Sequence, residues 1–242
     1  MKIDYEKCKA CGICVPFCPV GAISMVDGEV VIDQDECVEC CLCQRTSKCP
    51  TGALYQEALQ MPRSIRKAFS DPLGKHENTD LGHLGRGTEE VKTNDVTGLV
   101  YGVDYIAMAV EPGRPLVGAR FADVEKITMA IAPYVLAYDQ NNPTTKLLID
   151  QEKGLLEPSI KNEKVLSCIL EFKLAIENLD PILKVFEEVA KEVDTVFSVG
   201  VIAATDEQGR CPAEDIIRDR GITFENTSTK VNMGLGRPLF QA

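Results

Sequence analysis

The stretch CKACGICVPFCP, residues 8–19, returns as CVECCLCQRTSKCP at residues 37–50, and this pair decides how the amino-terminal part of the 242-residue chain is built. Cys8, Cys11 and Cys14 stand 29 residues before Cys37, Cys40 and Cys43, whereas Cys18 stands 31 residues before Cys49. The continuations also match, CPVGAI against CPTGAL, so the segment is an internal repeat whose second copy carries two extra residues. Pro19 and Pro50 turn the chain after the fourth cysteine of each copy, and Gly21 and Gly52 suit the tight turns that follow.

Three thiolates separated by two residues each can wrap a short loop around three corners of an iron-sulfur cubane, and the fourth ligand must then come from outside that loop. In a two-copy arrangement the other copy's Cys-Pro supplies it. The spacing therefore predicts Cys8, Cys11, Cys14 and Cys49 around one [4Fe-4S] cluster and Cys37, Cys40, Cys43 and Cys18 around a second. Zinc competes for CxxC pairs, but its sites use separated pairs and do not account for CxxCxxC followed by CP, given twice. Cys41 reads as a spare residue pointing away, with a ligand exchange with Cys40 as the alternative. The longer interval QRTSK between Cys43 and Cys49 predicts a bulge beside one cluster. Cys168, in an apolar stretch, reads as core. Cys211, before Pro212, reads as a polar-loop residue with a reactive thiol as the alternative.

Nine of the 11 cysteines lie in the first 50 residues, and 37 acidic against 26 basic residues give a net charge of -11. A chain that is 45% hydrophobic can bury a core, which argues against disorder and against a disulfide-stapled miniprotein. No basic patch for nucleic acid or an anionic membrane is visible. Met1 to Ala10 alternates in charge where a signal peptide would be apolar, and the longest apolar run, Val196 to Ala204, is too short to span a bilayer. The expectation is a cytoplasmic, reduced protein whose clustered cysteines bind metal. Residues 1–60 hold five basic against nine acidic residues and residues 99–242 hold 15 against 22, while residues 61–98 balance. Thiolate-bound clusters add negative charge to the first of these segments, which opposes their reduction and favours positively charged docking surfaces.

With eight cysteines in register, residues 1 to about 60 resemble a bacterial-type ferredoxin domain carrying two [4Fe-4S] clusters. The resemblance implies a pseudo-twofold fold of short hairpins and helical turns with both clusters buried. Residues 61–98 read as an extended connecting arm in which Ser64 to Phe69 form a helical turn or two, ended by Asp71-Pro72. His76, His83 and Arg86 lie in this arm and are the candidate catalytic or anion-binding residues. The plainer reading has them pin the arm to a partner. The string GRGTEEVKTNDVTG, residues 85–98, is similar to a segment of 6-hydroxynicotinate reductase-type iron-sulfur proteins, a resemblance covering roughly residues 1–130. It implies a reductive enzyme, or part of one, from anaerobic metabolism, delivering electrons to an organic substrate or a flavin. The chain has no dinucleotide fingerprint, so a flavin belongs on a partner chain or in a site without that fingerprint.

Regular elements resume after Tyr101. Tyr105–Pro112, Lys146–Asp150, Val165–Ile176 and Thr195–Ala203 read as strands, and Arg120–Tyr134 and Pro181–Val193 as helices, the latter capped by Asp180. Strand, helix, strand, strand, helix, strand is the split βαβ order. The fold class expected is thus α+β: a small two-cluster domain, then a split βαβ (ferredoxin-like) α/β sandwich over residues 99–205. Residues 206–242 form an irregular tail with a short helix near Ala213 to Arg220. Glu111 to Arg114 and Arg237 are anion-contact candidates, read more simply as turn residues.

These features point first to an iron-sulfur electron-transfer protein, the ferredoxin-like subunit of a larger anaerobic oxidoreductase with a redox partner protein. A self-contained reductase of a small carboxylated substrate is the second reading. A regulatory or assembly module with structural clusters, dimerising through its sheet, is the third.

Overall fold

The computed structural model describes residues 1–73, 103–114 and 117–222, and among them the chain is α+β. In the amino-terminal part, β1 (Lys2–Ile3) pairs antiparallel with β4 (Leu54–Tyr55), and β2 (Ile23–Val26) with β3 (Glu29–Ile32). The two cysteine loops have matching backbones. Ala10 and Gly12 adopt positive φ in the first copy, and Glu39 and Cys41 do so at the equivalent positions of the second. A single 3-10 turn, Val15–Phe17, follows Cys14, and the two-residue insertion lengthens its counterpart into α1 (Leu42–Thr46). The expected bulge is therefore a helical turn.

The connecting segment opens with α2 (Ser64–Ser70), close to its expected span. Ile65 and Phe69 on its inner face belong to the core of the larger carboxy-terminal part, where Phe69 meets Phe121 edge to face with ring centroids 5.5 Å apart. His76, His83, Arg86 and the GRGTEEVKTNDVTG string lie outside the described residues, as does Arg237.

The larger part contains β5 (Tyr105–Pro112), β6 (Ala119–Arg120), α3 (Phe121–Ile131), β7 (Ala137–Tyr138), β8 (Leu148–Asp150), β9 (Leu155–Leu156), β10 (Lys164–Val165), β11 (Leu170–Ala175), α4 (Leu179–Val189), β12 (Phe197–Ala203) and α5 (Pro212–Asp219). Its main sheet has the order β12-β5-β11-β7, antiparallel throughout. Pairing of Leu170, Phe172 and Leu174 with Val110, Met108 and Ile106 puts all six on one face, fully buried, together with Val124, Ile127 and Ile131 of α3 and Leu179, Ile182 and Phe186 of α4. Each such large side chain contributes roughly 1.5–3 kcal/mol on burial.

Three expected elements are corrected. The strand at Lys146–Asp150 is not in the main sheet: β8 pairs with β9 in a separate hairpin, held on α3 by Thr128 Oγ1 donating to the Gly154 carbonyl at 2.6 Å and by the Leu156 amide donating to the Glu125 carboxylate at 2.9 Å. Its place beside β11 goes to the two residues of β7. The strand expected from Val165 begins at Leu170, because Lys164–Val165 leaves to pair with Ala119–Arg120. Asp180 lies inside the first turn of α4 rather than capping it, where its carboxylate meets Lys184 and Arg220, each at 2.7 Å.

Candidate metal centre

The cysteines surround two hollows. Cys8, Cys11, Cys14 and Cys49 line one, walled by Ile3, Val30 and Leu54. Cys18, Cys37, Cys40 and Cys43 line the other, walled by Ala22, Ile23 and Ile32. In each, the loop with CxxCxxC spacing supplies three thiols and the Cys-Pro of the other copy the fourth, so the two copies are interlocked. Among the described residues no three His, Cys, Asp or Glu side chains converge on one point that would hold a single ion. The thiols line the two hollows, and an all-sulfur donor set of this kind suits an iron-sulfur cluster.

The loops also aim donors at sulfur. The Ala10 amide donates to Cys8 Sγ at 3.4 Å and the Ala22 amide to Cys18 Sγ at 3.1 Å. Burial, then the neighbouring Cys40, pushes the free Cys43 thiol up to about 12, and burial likewise raises Cys14, Cys37 and Cys40. At the protein surface the Thr51 hydroxyl and the Ala53 amide bring Cys49 down to about 7. Metal capture by the raised thiols must expel protons that burial holds in place, so loading is favoured as pH rises. Cys41 also borders the second hollow, but it sits in the left-handed conformation and its thiol points back to the Glu39 carbonyl, 3.5 Å away.

A family model described as the 4Fe-4S binding domain matches residues 1–24. Ferredoxin-1 of Rhodobacter capsulatus is 52% identical over 40 residues, 16% of this chain and 62% of that protein. The amino-terminal segment is of the bacterial ferredoxin type. The pyruvate synthase subunit PorD of Methanocaldococcus jannaschii is 42% identical over 53 residues, 22% of this chain and 59% of its own length. A heterodisulfide reductase-like protein of Archaeoglobus profundus is 67% identical over 24 residues, 10% of this chain and 3% of its own length. The chain thus spans 54–62% of the length of the ferredoxins it matches. No solved structure matches.

Outside the ferredoxin segment, the candidates among the described residues pack into the core or pair with near neighbours. Cys168 is buried in the larger core as expected. Cys211 precedes α5 and packs against that core rather than standing free in a loop. Arg114 closes a turn at Gly113, meeting Glu111 at 3.1 Å and donating to Ser167 Oγ at 3.3 Å. Two arginines that spacing did not single out touch the second hollow through its backbone. Arg45 donates to the Cys40 carbonyl at 2.6 Å and Arg66 to the Cys37 carbonyl at 2.9 Å. Among the described residues no helix is long and apolar enough to cross a membrane.

Proposed function

We propose that this protein carries electrons through two [4Fe-4S] clusters, as the ferredoxin-like subunit of a larger oxidoreductase of anaerobic metabolism. One observation carries the reading: eight cysteines stand four around each of two hollows in a cross-tied grouping, with Cys41 bordering the second but turned to the Glu39 carbonyl. The donor set fits the group. Four thiols per hollow, apolar walls and amides aimed at sulfur are what a cubane needs. Cys8, Cys11, Cys14 and Cys49 would hold the first cluster and Cys18, Cys37, Cys40 and Cys43 the second. Such clusters exchange single electrons when bound. The chain's own contribution is to exclude water with the walls and to fix the sulfurs against amide donors. Relatives whose names place them with pyruvate synthase and heterodisulfide reductase support a role inside an assembly.

The order β12-β5-β11-β7, with α3 and α4 sharing the core of one face, supports reading the larger part as a split βαβ sandwich. In this reading it is the docking module that fits the ferredoxin segment to its assembly. Anaerobic reconstitution followed by iron and sulfide analysis tests the proposal. It expects about eight of each per chain and two reducible signals by electron paramagnetic resonance. About four of each, or clusters that resist low-potential reductants, would overturn it.

A further inference from the structure

The two hollows lie in unequal electrical surroundings. Arg66 on α2 is only 4% exposed. Its Nη1 donates to the carbonyls of Gln34 at 3.0 Å, Asp35 at 2.8 Å and Cys37 at 2.9 Å, while its Nε donates to the Glu163 carboxylate of the larger part. Arg45 repeats the device at a more exposed place, bonding the Cys40 carbonyl at 2.6 Å and Asp71 Oδ1 at 2.8 Å. In each pair it is the cation that touches the backbone of a cysteine of the second hollow, and the carboxylate belongs to the segment beyond. Among the described residues no guanidinium bonds the backbone of Cys8, Cys11, Cys14 or Cys49. Of the other carboxylates beside the Cys37 loop, Glu36 is matched by Lys164 and Arg120 and Glu39 by Arg63 and the amino terminus, while Asp33 accepts from the Asp35 and Glu36 amides.

An added electron makes a cluster more negative, and a fixed cation in a water-poor setting stabilises that charge with little screening by salt. We propose that Arg66, seconded by Arg45, is a positioning residue that makes the second hollow the better electron acceptor of the two. Through the Arg66–Glu163 pair the larger α/β part sets this bias directly. The inference rests on the two-cluster reading above and adds an order to the two clusters.

The test uses the full chain, reconstituted anaerobically, and follows the hyperfine-shifted cysteine β-proton resonances of each cluster through a redox titration. Arg66→Gln should lower the reduction equilibrium of the second cluster about tenfold, ~59 mV for a one-electron couple, and leave the first where it was. Arg66→Lys, which keeps the charge, should restore most of the difference. Glu163→Gln removes the counter-charge and should move the second cluster in the opposite direction; this variant serves if Arg66→Gln does not fold. Equal shifts of both clusters, no shift of the second, or the same sign in Arg66→Gln and Glu163→Gln would overturn the inference. Failure of the underlying reading looks different: the wild-type chain would lack two separately reducible sets of resonances, and the inference would fall with it.

Discussion

Cys41 occupies the position that Gly12 holds in the first copy, with φ 57° against 69°. A non-glycine residue there costs about 1–2 kcal/mol, so backbone geometry separates the extra cysteine from the neighbours proposed as ligands. Spacing alone leaves Cys40 and Cys41 interchangeable, because they are adjacent; the left-handed turn distinguishes them, and only the aligned repeat hints at it. Cys41→Gly should therefore retain the full iron and sulfide content and melt at the same temperature or slightly higher, whereas Cys40→Ser should lose the second cluster. Halved iron in Cys41→Gly would make Cys41 a ligand. Tyr138 offers a second case at this scale. Among the described residues its hydroxyl is buried without a partner, and burial pushes the phenol up to about 12. An unfolded tyrosine ionises near pH 10, so stability that depends on the neutral phenol is lost as pH rises from about 10 to 12. Tyr138→Phe should remove that alkaline loss in denaturant titrations and leave stability at pH 7 unchanged or about 1 kcal/mol higher, since an unsatisfied buried hydroxyl disappears.

At the scale of elements, what is periodic in the sequence is also what forms locally. β5, α3, β11, α4 and β12 follow their apolar patterns, and their ends shift by a few residues. The errors arise where partner choice depends on distant side chains. β8 is a strand, as its apolar run suggests, but Thr128 and Glu125 on α3 capture the β8–β9 hairpin and keep it out of the main sheet. β7 has too few residues for any period to mark it. The capture also depends on Gly154 at φ 70°, where a Cβ would lie 2.3 Å from the Thr128 carbonyl oxygen. Gly154→Ala combines a left-handed penalty with a backbone clash and should destabilise the larger part by about 2–4 kcal/mol. Thr128→Ala, which loses one buried hydrogen bond, should cost about 1–3 kcal/mol. Chemical denaturation of both variants measures the difference. Equal stability of Gly154→Ala and wild type would mean that the hairpin sits elsewhere.

Across the whole molecule there are two cores of very different self-sufficiency. The larger one joins the sheet with α3, α4 and α2, whereas the ferredoxin segment's core consists largely of the cysteines and the few apolar residues around them. The thiol sets were legible from the sequence because each loop's spacing is local and repeated. The clamps that tie the two cores together were not, because Arg45–Asp71 and Arg66–Glu163 join positions 26 and 97 residues apart. That division predicts how the protein comes apart. Without metal the ferredoxin segment must bring raised-pKa thiols into a hollow that nothing fills, and metal binding supplies much of the folding free energy of so small a core. Chelation should therefore free the amides of β2 and β3 to exchange with solvent at near-unfolded rates, while those of β5, β11 and β12 stay protected. α2 is the discriminating element. It lies next to the ferredoxin segment in sequence, but Ile65 and Phe69 are buried in the larger core and Ser70 Oγ accepts from the Leu166 amide at 2.8 Å. It should stay protected with the sheet when hydrogen exchange is followed by mass spectrometry. Loss of α2 together with β2 and β3 would mean that the clamps, not the larger core, hold the helix in place.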